Sequence, residues 1–316
     1  LEQPDKIRKD IKKGIKKQKI SEFPRRSKAI SEAIKDLNTG EILLVAGKGH
    51  ETIQEIGKKK IFSSDKKIIL NAIKKKNLTL SKNLKANIIN ELSGEKKISH
   101  KTFLKHGRIN SQEINKRDIF FAIKGKKNDG NKFISEAFKK KASIAIVNTI
   151  NKNYNKKHQV KVNDTLKFLT KSSKIYRQNI NTKIIAITGS CGKTTLKELL
   201  GSSLGQISKT SISPKSYNNK YGVPLSLFNL KQKDDYGVLE VGMDKKGEID
   251  YLSNIVQPDV SVITNISYAH AKNFRNIKQI ALAKSEIINN TKDNGFIVLN
   301  ADDNFFSLHK KLAIKK

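Results

Sequence analysis

The residues that carry the most chemistry are Thr188-Gly189-Ser190-Cys191-Gly192-Lys193-Thr194-Thr195. Set between an apolar strand and a helix, they read as the core of a phosphate loop. Gly189 and Gly192 let the backbone curl so that successive N–H groups face inward. The helix N-terminus that follows adds a field favourable to an anion. Lys193 can reach the β- and γ-phosphates of a nucleotide, and Thr194 can hold Mg2+ through its hydroxyl. The strict spacing of such loops puts their first glycine where this chain has Ile187, and Thr188-Gly189 open the loop instead. The competing reading is a glycine-rich turn that binds nothing. Cys191 reads as a small loop residue rather than a nucleophile, because no His–Asp or His–Asn neighbourhood accompanies it.

Three further residues belong to the same chemistry. Glu240 closes the strand Tyr236–Glu240, and a carboxylate at the carboxyl end of a parallel strand points into the ligand crevice. Beside a phosphate loop it can bind Mg2+ directly or through water; elsewhere it would be a surface carboxylate. His270 follows the strand Val260–Thr264 and becomes a metal or phosphate contact only if paired with Glu240. Lys284, inside Gln279–Glu286, is from its surroundings one lysine among many.

The elements that must position these residues alternate. Strands are expected at Lys183–Thr188, Tyr236–Val241, Val260–Thr264 and Gly295–Leu299, with helices between them, including Leu196–Leu204 and Ile277–Ile288. That order makes a mostly parallel α/β sheet covered on both faces. Upstream, strands at 118–123 and 144–147 and helices at 133–140 and 164–175 make a smaller α/β unit. Earlier still, 27–37 has helical spacing, the apolar run 42–46 reads as a buried strand, and 66–75 as a helix. The expected division is 1–76, a linker at 77–83, 84–178, and 182–316.

Composition sets the outer bounds. The chain has 316 residues, 36% hydrophobic and 29% charged, enough to bury a core. Its formal charge is +35 from 64 basic and 29 acidic residues. That balance first suggests a polyanion, but lysine runs through every segment without a clustered face or interleaved aromatics. A nucleic-acid partner is therefore not expected. A single cysteine excludes an internal disulfide, in keeping with a reducing cytoplasm. The only methionine is Met243, and the chain is expected to begin and end within longer coding sequence.

The stretches TGSCGKTTLKELL, SYNNKYGVPLSLFNL, GVLEVGMDKKGEIDYLSNIVQPDVSVITNISYAHAKNF, ALAKSEI and VLNADD together resemble the Mur ligases, ATP-dependent amide-bond ligases of peptidoglycan precursor synthesis. DIFFAIKGKKNDGNKFISEAF resembles the family's N-terminal, nucleotide-sugar-binding domain. The resemblance implies a cytoplasmic, monomeric enzyme that joins D-alanyl-D-alanine to UDP-N-acetylmuramoyl-tripeptide through an acyl phosphate. It implies ATP contacts from Gly189, Ser190, Cys191, Gly192, Lys193, Thr194 and Thr195, with Asn300 and Asp302 toward the adenine. Thr194, Glu240, His270 and Lys284 would form the Mg2+ site, Lys284 as a carbamate. Asn218 and Asn219 would lie near the substrate, so that Lys193, Lys284, Asn219 and His270 form the catalytic set. Asn110-Ser111-Gln112 replaces the family's Asp-Ser-Arg, and Phe274-Arg275-Asn276 its Phe-Gly-Ser. RRSKAI, ILLVAGKGHETIQ and IFSSD instead resemble the end of the C-terminal domain of another Mur ligase, the amino-acid-adding (often diaminopimelate-adding) one, with Arg26, Lys48, His50 and Glu51 as matching residues. Alternatives are a Mur-type ligase with another donor, an inactive fused fragment that only binds ATP, and a basic nucleic-acid-binding phosphate-loop protein.

Overall fold

The structure is a computed structural model that describes residues 4–14, 20–37, 41–47, 51–56, 59–62, 64–95, 98–99, 102–125, 128–268 and 273–316. The chain separates into two compact units, Leu1–Lys82 and Asn83–Lys316.

In the first unit, helices α1 (Pro4–Lys13), α2 (Arg26–Asp36) and α3 (Asp65–Lys82) accompany an antiparallel pair, β1 (Ile53–Ile56) and β2 (Lys59–Phe62). Ile30 and Ile34, one turn apart on α2, are buried where α2 meets α3. Arg26 clasps Asp65 with N···O distances of 2.7–3.1 Å and donates to Ala46 O at 2.8 Å. The run 42–46 is not the buried strand its composition suggested: Ile42 is 95% exposed and Leu44 85%. An apolar run becomes a strand only where its backbone finds partners. Among the described residues here, β1 and β2 pair only with each other. The helix expected at 66–75 runs on to Lys82, through most of the stretch read as a linker.

The second unit holds two parallel sheets. The smaller is ordered β3 (Gly107–Arg108), β4 (Ile119–Phe121), β5 (Ile144–Val147), β6 (Gln159–Lys161). Its central strands, IFF and IAIV, are buried on both faces, which explains why they read as continuous apolar runs. Helices α4 (Leu84–Ser93), α5 (Ile134–Lys139) and α6 (Thr165–Gln178) accompany it. The larger sheet contains β7 (Lys183–Thr188), β8 (Thr210–Ile212), β9 (Tyr236–Glu240), β10 (Val260–Ile263) and β11 (Phe296–Leu299), all parallel, in the order β11-β10-β7-β9-β8. Its helices are α7 (Lys193–Ile207), α8 (Gly222–Asn229), α9 (Glu248–Val256), α10 (Ile277–Asn289) and α11 (Phe306–Ile314). Coverage is incomplete at the edge strand β11, where Phe296 is 71% exposed.

Helix α6 fastens the two sheets together. Ser173 Oγ donates to Pro224 O at 2.8 Å, and Tyr176 OH to Leu230 O at 2.6 Å. Arg177, buried, donates to Val256 O, Thr182 O and Gln257 O and pairs with Asp259 at 2.7 Å. Removing one partner of so fully bonded a buried pair would strand the other charge. On the smaller sheet, Asn229 grips Gly107 twice, its Oδ1 receiving Gly107 N–H at 2.7 Å and its Nδ2 donating to Gly107 O at 2.9 Å.

Candidate functional site

The site gathers at the carboxyl ends of β7 and β9, the two strands paired at the middle of the larger sheet. β7 ends at Thr188, and Gly189 then takes φ +146°. The chain turns there against Thr264: a Cβ on Gly189 would lie 1.9 Å from Thr264 Oγ1. Gly192, at φ +78°, is the N-cap of α7. Leu196 N–H bonds Gly192 O at 2.9 Å, which leaves the N–H groups of the first turn, Lys193 to Thr195, without intrahelical partners.

The loop amides behave differently from the sequence expectation. Ser190 N–H and Cys191 N–H do not face inward together; they bond Asn265 O at 2.9 Å and Asn265 Oδ1 at 3.0 Å. Thr264 Oγ1 donates to Cys191 O at 2.6 Å, and Ser190 Oγ donates to Ser267 O at 3.0 Å. The loop is thus clamped by the segment after β10, and the N–H groups an anion could meet are those of the α7 terminus. Asn265 was missed in the sequence, where only its place directly after a parallel strand pointed to it.

Lys193 Nζ donates to Gly189 O at 2.8 Å and Ser190 O at 3.1 Å, folded over its own loop. Glu240, 2% exposed, accepts from Thr194 Oγ1 at 2.7 Å on one oxygen and from Asn218 Nδ2 at 2.7 Å on the other. Asn219 is committed elsewhere: its Oδ1 receives the N–H groups of Tyr221 and Gly222, both at 3.0 Å, in the turn that leads into α8. Lys284 is buried on α10 and donates to Gly189 O at 2.8 Å. Burial first, and then the charge of Lys193, push its amine down to about 8.

Thr195 is exposed on the first turn of α7. Asn300 Oδ1 receives Asp302 N–H at 3.0 Å, a local turn after β11, while Asp303 ties that turn to Ile266 N–H at 2.7 Å. His270 lies outside the described residues, as do Lys48 and His50. Asn276, where the family has serine, caps α10 by accepting Gln279 N–H at 3.0 Å, a task either side chain performs. Asn110 likewise caps a turn through Gln112 N–H at 3.0 Å.

A hydroxyl and a carboxylate converge beside the α7 terminus, and hard oxygen donors of this kind suit Mg2+. Among the described residues, no group of three or more His, Cys, Asp or Glu side chains gathers as a metal cluster.

Fold and site define a parallel α/β sheet with a glycine loop leading into a helix, and beside it a smaller parallel sheet, within one compact unit. Residues 187–316 match the Mur ligase middle domain. The UDP-N-acetylmuramoyl-tripeptide–D-alanyl-D-alanine ligase of Buchnera aphidicola subsp. Acyrthosiphon pisum (strain APS) is 40% identical over 205 residues, 64% of this chain and 44% of that protein. The same ligase of Bacillus subtilis (strain 168) is 34% identical over 200 residues, 63% of this chain and 44% of that protein. Among solved structures, MurF from Acinetobacter baumannii superposes with TM-score 0.64 at 34% identity, covering 73% of this chain and 51% of that one. MurF from Thermotoga maritima, solved in complex with ADP, gives 0.58 at 32% identity, covering 67% and 48%. The chain spans a little under half the length of the curated relatives it matches. No described helix is long and apolar enough to cross a membrane.

Proposed function

We propose that the chain carries the ATP-binding and nucleotide-sugar-binding parts of a cytoplasmic carbon–nitrogen ligase that adds D-alanyl-D-alanine to UDP-N-acetylmuramoyl-tripeptide. The observation that carries this reading is Glu240, buried at the end of β9 and bonded at once to Thr194 of the phosphate loop and to Asn218. The similarity of 187–316 to the Mur ligase middle domain supports it.

In the reaction, a carboxylate oxygen of the tripeptide attacks the γ-phosphorus of ATP. The bond to the β-phosphate bridging oxygen breaks, giving an acyl phosphate and ADP. The amine nitrogen of D-alanyl-D-alanine then attacks the acyl carbon, loses a proton, and phosphate leaves. The first step brings anion to anion, so stabilisation of charge dominates it. Lys193 exchanges its two loop carbonyls for phosphate oxygens, and the α7 terminus presents N–H groups to them. Thr194 and Glu240 would hold Mg2+, which supplies neutralisation of the polyphosphate charge. Asn218 orients Glu240 for that task. Lys284, buried against Gly189 O, is the position for a carbamate, an anion in place of a cation. His270 would complete the metal site, and Asn300 and Asp302 the adenine side.

A second reading concerns residues 1–76, as the end of the C-terminal domain of a preceding, amino-acid-adding ligase. Arg26 favours it, because its guanidinium joins all three resembling stretches by bonding Ala46 O and Asp65.

The test is twofold. Fluorescent ADP and ATP should bind the chain, and Lys193→Met should weaken binding at least about tenfold, the worth of a charge-assisted phosphate contact. Unchanged binding in the variant would remove the loop from the mechanism. Mass spectrometry of mixtures with ATP, Mg2+, the tripeptide nucleotide and competing amines should show D-alanyl-D-alanine as the donor in any product formed; a different amine accepted in preference would reassign the donor.

A further inference from the structure

Lys197 lies one turn beyond Lys193 on α7, and its side chain is wholly buried. From there it does not reach the solvent-facing mouth of the loop. Its ammonium has three N–H groups and three partners: Ser213 O at 2.9 Å, Lys215 O at 2.6 Å and Glu198 Oε1 at 3.1 Å. The two carbonyls flank Pro214 in the segment that leads from β8 to α8.

That segment is what holds Glu240. Ser213 continues the pairing of β8 with β9 through its N–H to Val238 O at 2.9 Å, and its Oγ receives Glu240 N–H at 3.2 Å. Lys215 has φ +49°, a left-handed conformation that a non-glycine residue keeps only when its surroundings enforce it. Asn218 ends the segment: its Nδ2 donates to Glu240 Oε1, and its carbonyl receives Gly242 N–H at 2.7 Å. One buried ammonium therefore fixes the backbone between Ser213 and Asn218, two of the residues that bond Glu240.

We propose that Lys197 is a positioning residue for the Thr194–Glu240 pair, acting through segment 213–218 so that Asn218 aims the Glu240 carboxylate. The proposal rests on the reading of that pair as the Mg2+-holding oxygens. Lys197 touches neither nucleotide nor metal; it sets the angle from which the carboxylate meets them.

The experiment uses the 316-residue chain and fluorescent ADP, titrated with and without Mg2+. In Lys197→Met, affinity without Mg2+ should stay within about twofold of the parent, while the gain from Mg2+ should fall about tenfold, as the loss of one charge-assisted bond allows. Asn218→Ala should lower the gain similarly, and the double variant should be no worse than either single one, since both cut one route. An undiminished Mg2+ gain in Lys197→Met, or losses that multiply in the double variant, would overturn the proposal. Lys197→Gln, which keeps a donor to one carbonyl, should fall between; it decides in the same way if the methionine variant does not fold. The side-chain amide of Asn218 in a 15N spectrum gives a readout that needs no nucleotide. It should lose its hydrogen-bonded shift in Lys197→Met while the Gly222 amide, bonded to Asn219, keeps its own; an unmoved Asn218 signal would overturn the proposal. Absence of any Mg2+ gain in the parent would instead count against the nucleotide-site reading, and the Asn218 signal would then decide alone.

Discussion

At Gly189 an alanine would place its methyl 1.9 Å from Thr264 Oγ1 and 3.1 Å from Thr264 N, on a residue held at φ +146°. Thr264 cannot simply step aside, because its hydroxyl holds Cys191 O. Gly189→Ala is therefore expected to cost about 1–3 kcal/mol, from backbone strain and a forced shift of the loop. Gly192→Ala meets no atom within 4 Å and should cost only the left-handed strain, about 1 kcal/mol. Chemical denaturation of both variants checks the order; the reverse order would mean that Thr264 yields easily. The same scale separates the lysines. Lys193, Lys197 and Lys284 all direct their amines at backbone carbonyls of the site, whereas Lys183 is largely exposed and only loosely paired with Asp259 at 3.8 Å.

Among elements, α8 has the widest reach. Asn219, next to Asn218 of the Glu240 network, holds the turn that leads into it, and Asn229 at its end grips Gly107 of the smaller sheet. Phe228 packs edge-on against Phe121, with ring centroids 5.8 Å apart and planes at 86°. Asn229→Ala removes both bonds to Gly107 and leaves a partly buried N–H and C=O without them, an expected loss of about 1–3 kcal/mol. Urea denaturation measures it, and nucleotide affinity should stay unchanged, since Asn229 stands at the far end of the helix from the loop. A loss of affinity as large as the loss of stability would show that α8 transmits the grip to the site.

At the scale of the molecule, the phosphate loop, Glu240 and Lys284 all lie within Asn83–Lys316, one compact unit with its own continuous core. Residues 83–316 made alone should fold and bind ADP with affinity within about twofold of the full chain, as independent units do; calorimetry tests this, and lost binding would assign the first 82 residues a part in the site. The order of the phosphate loop, the alternation of strands and helices behind it, and the place of Glu240 at a strand end were legible in the sequence, because each depends on neighbours within a few residues. The run at 42–46 was misread for the opposite reason: its apolar residues say that a strand is possible, but only a pairing partner makes one. Likewise Lys197 and the burial of Lys284 were invisible in a chain carrying +35 of charge. Gly189 and Lys284 meet across 95 residues. Whether an amine is solvated or faces a carbonyl is decided only when the helices close over the sheet, since desolvation belongs to the packing and not to the residue.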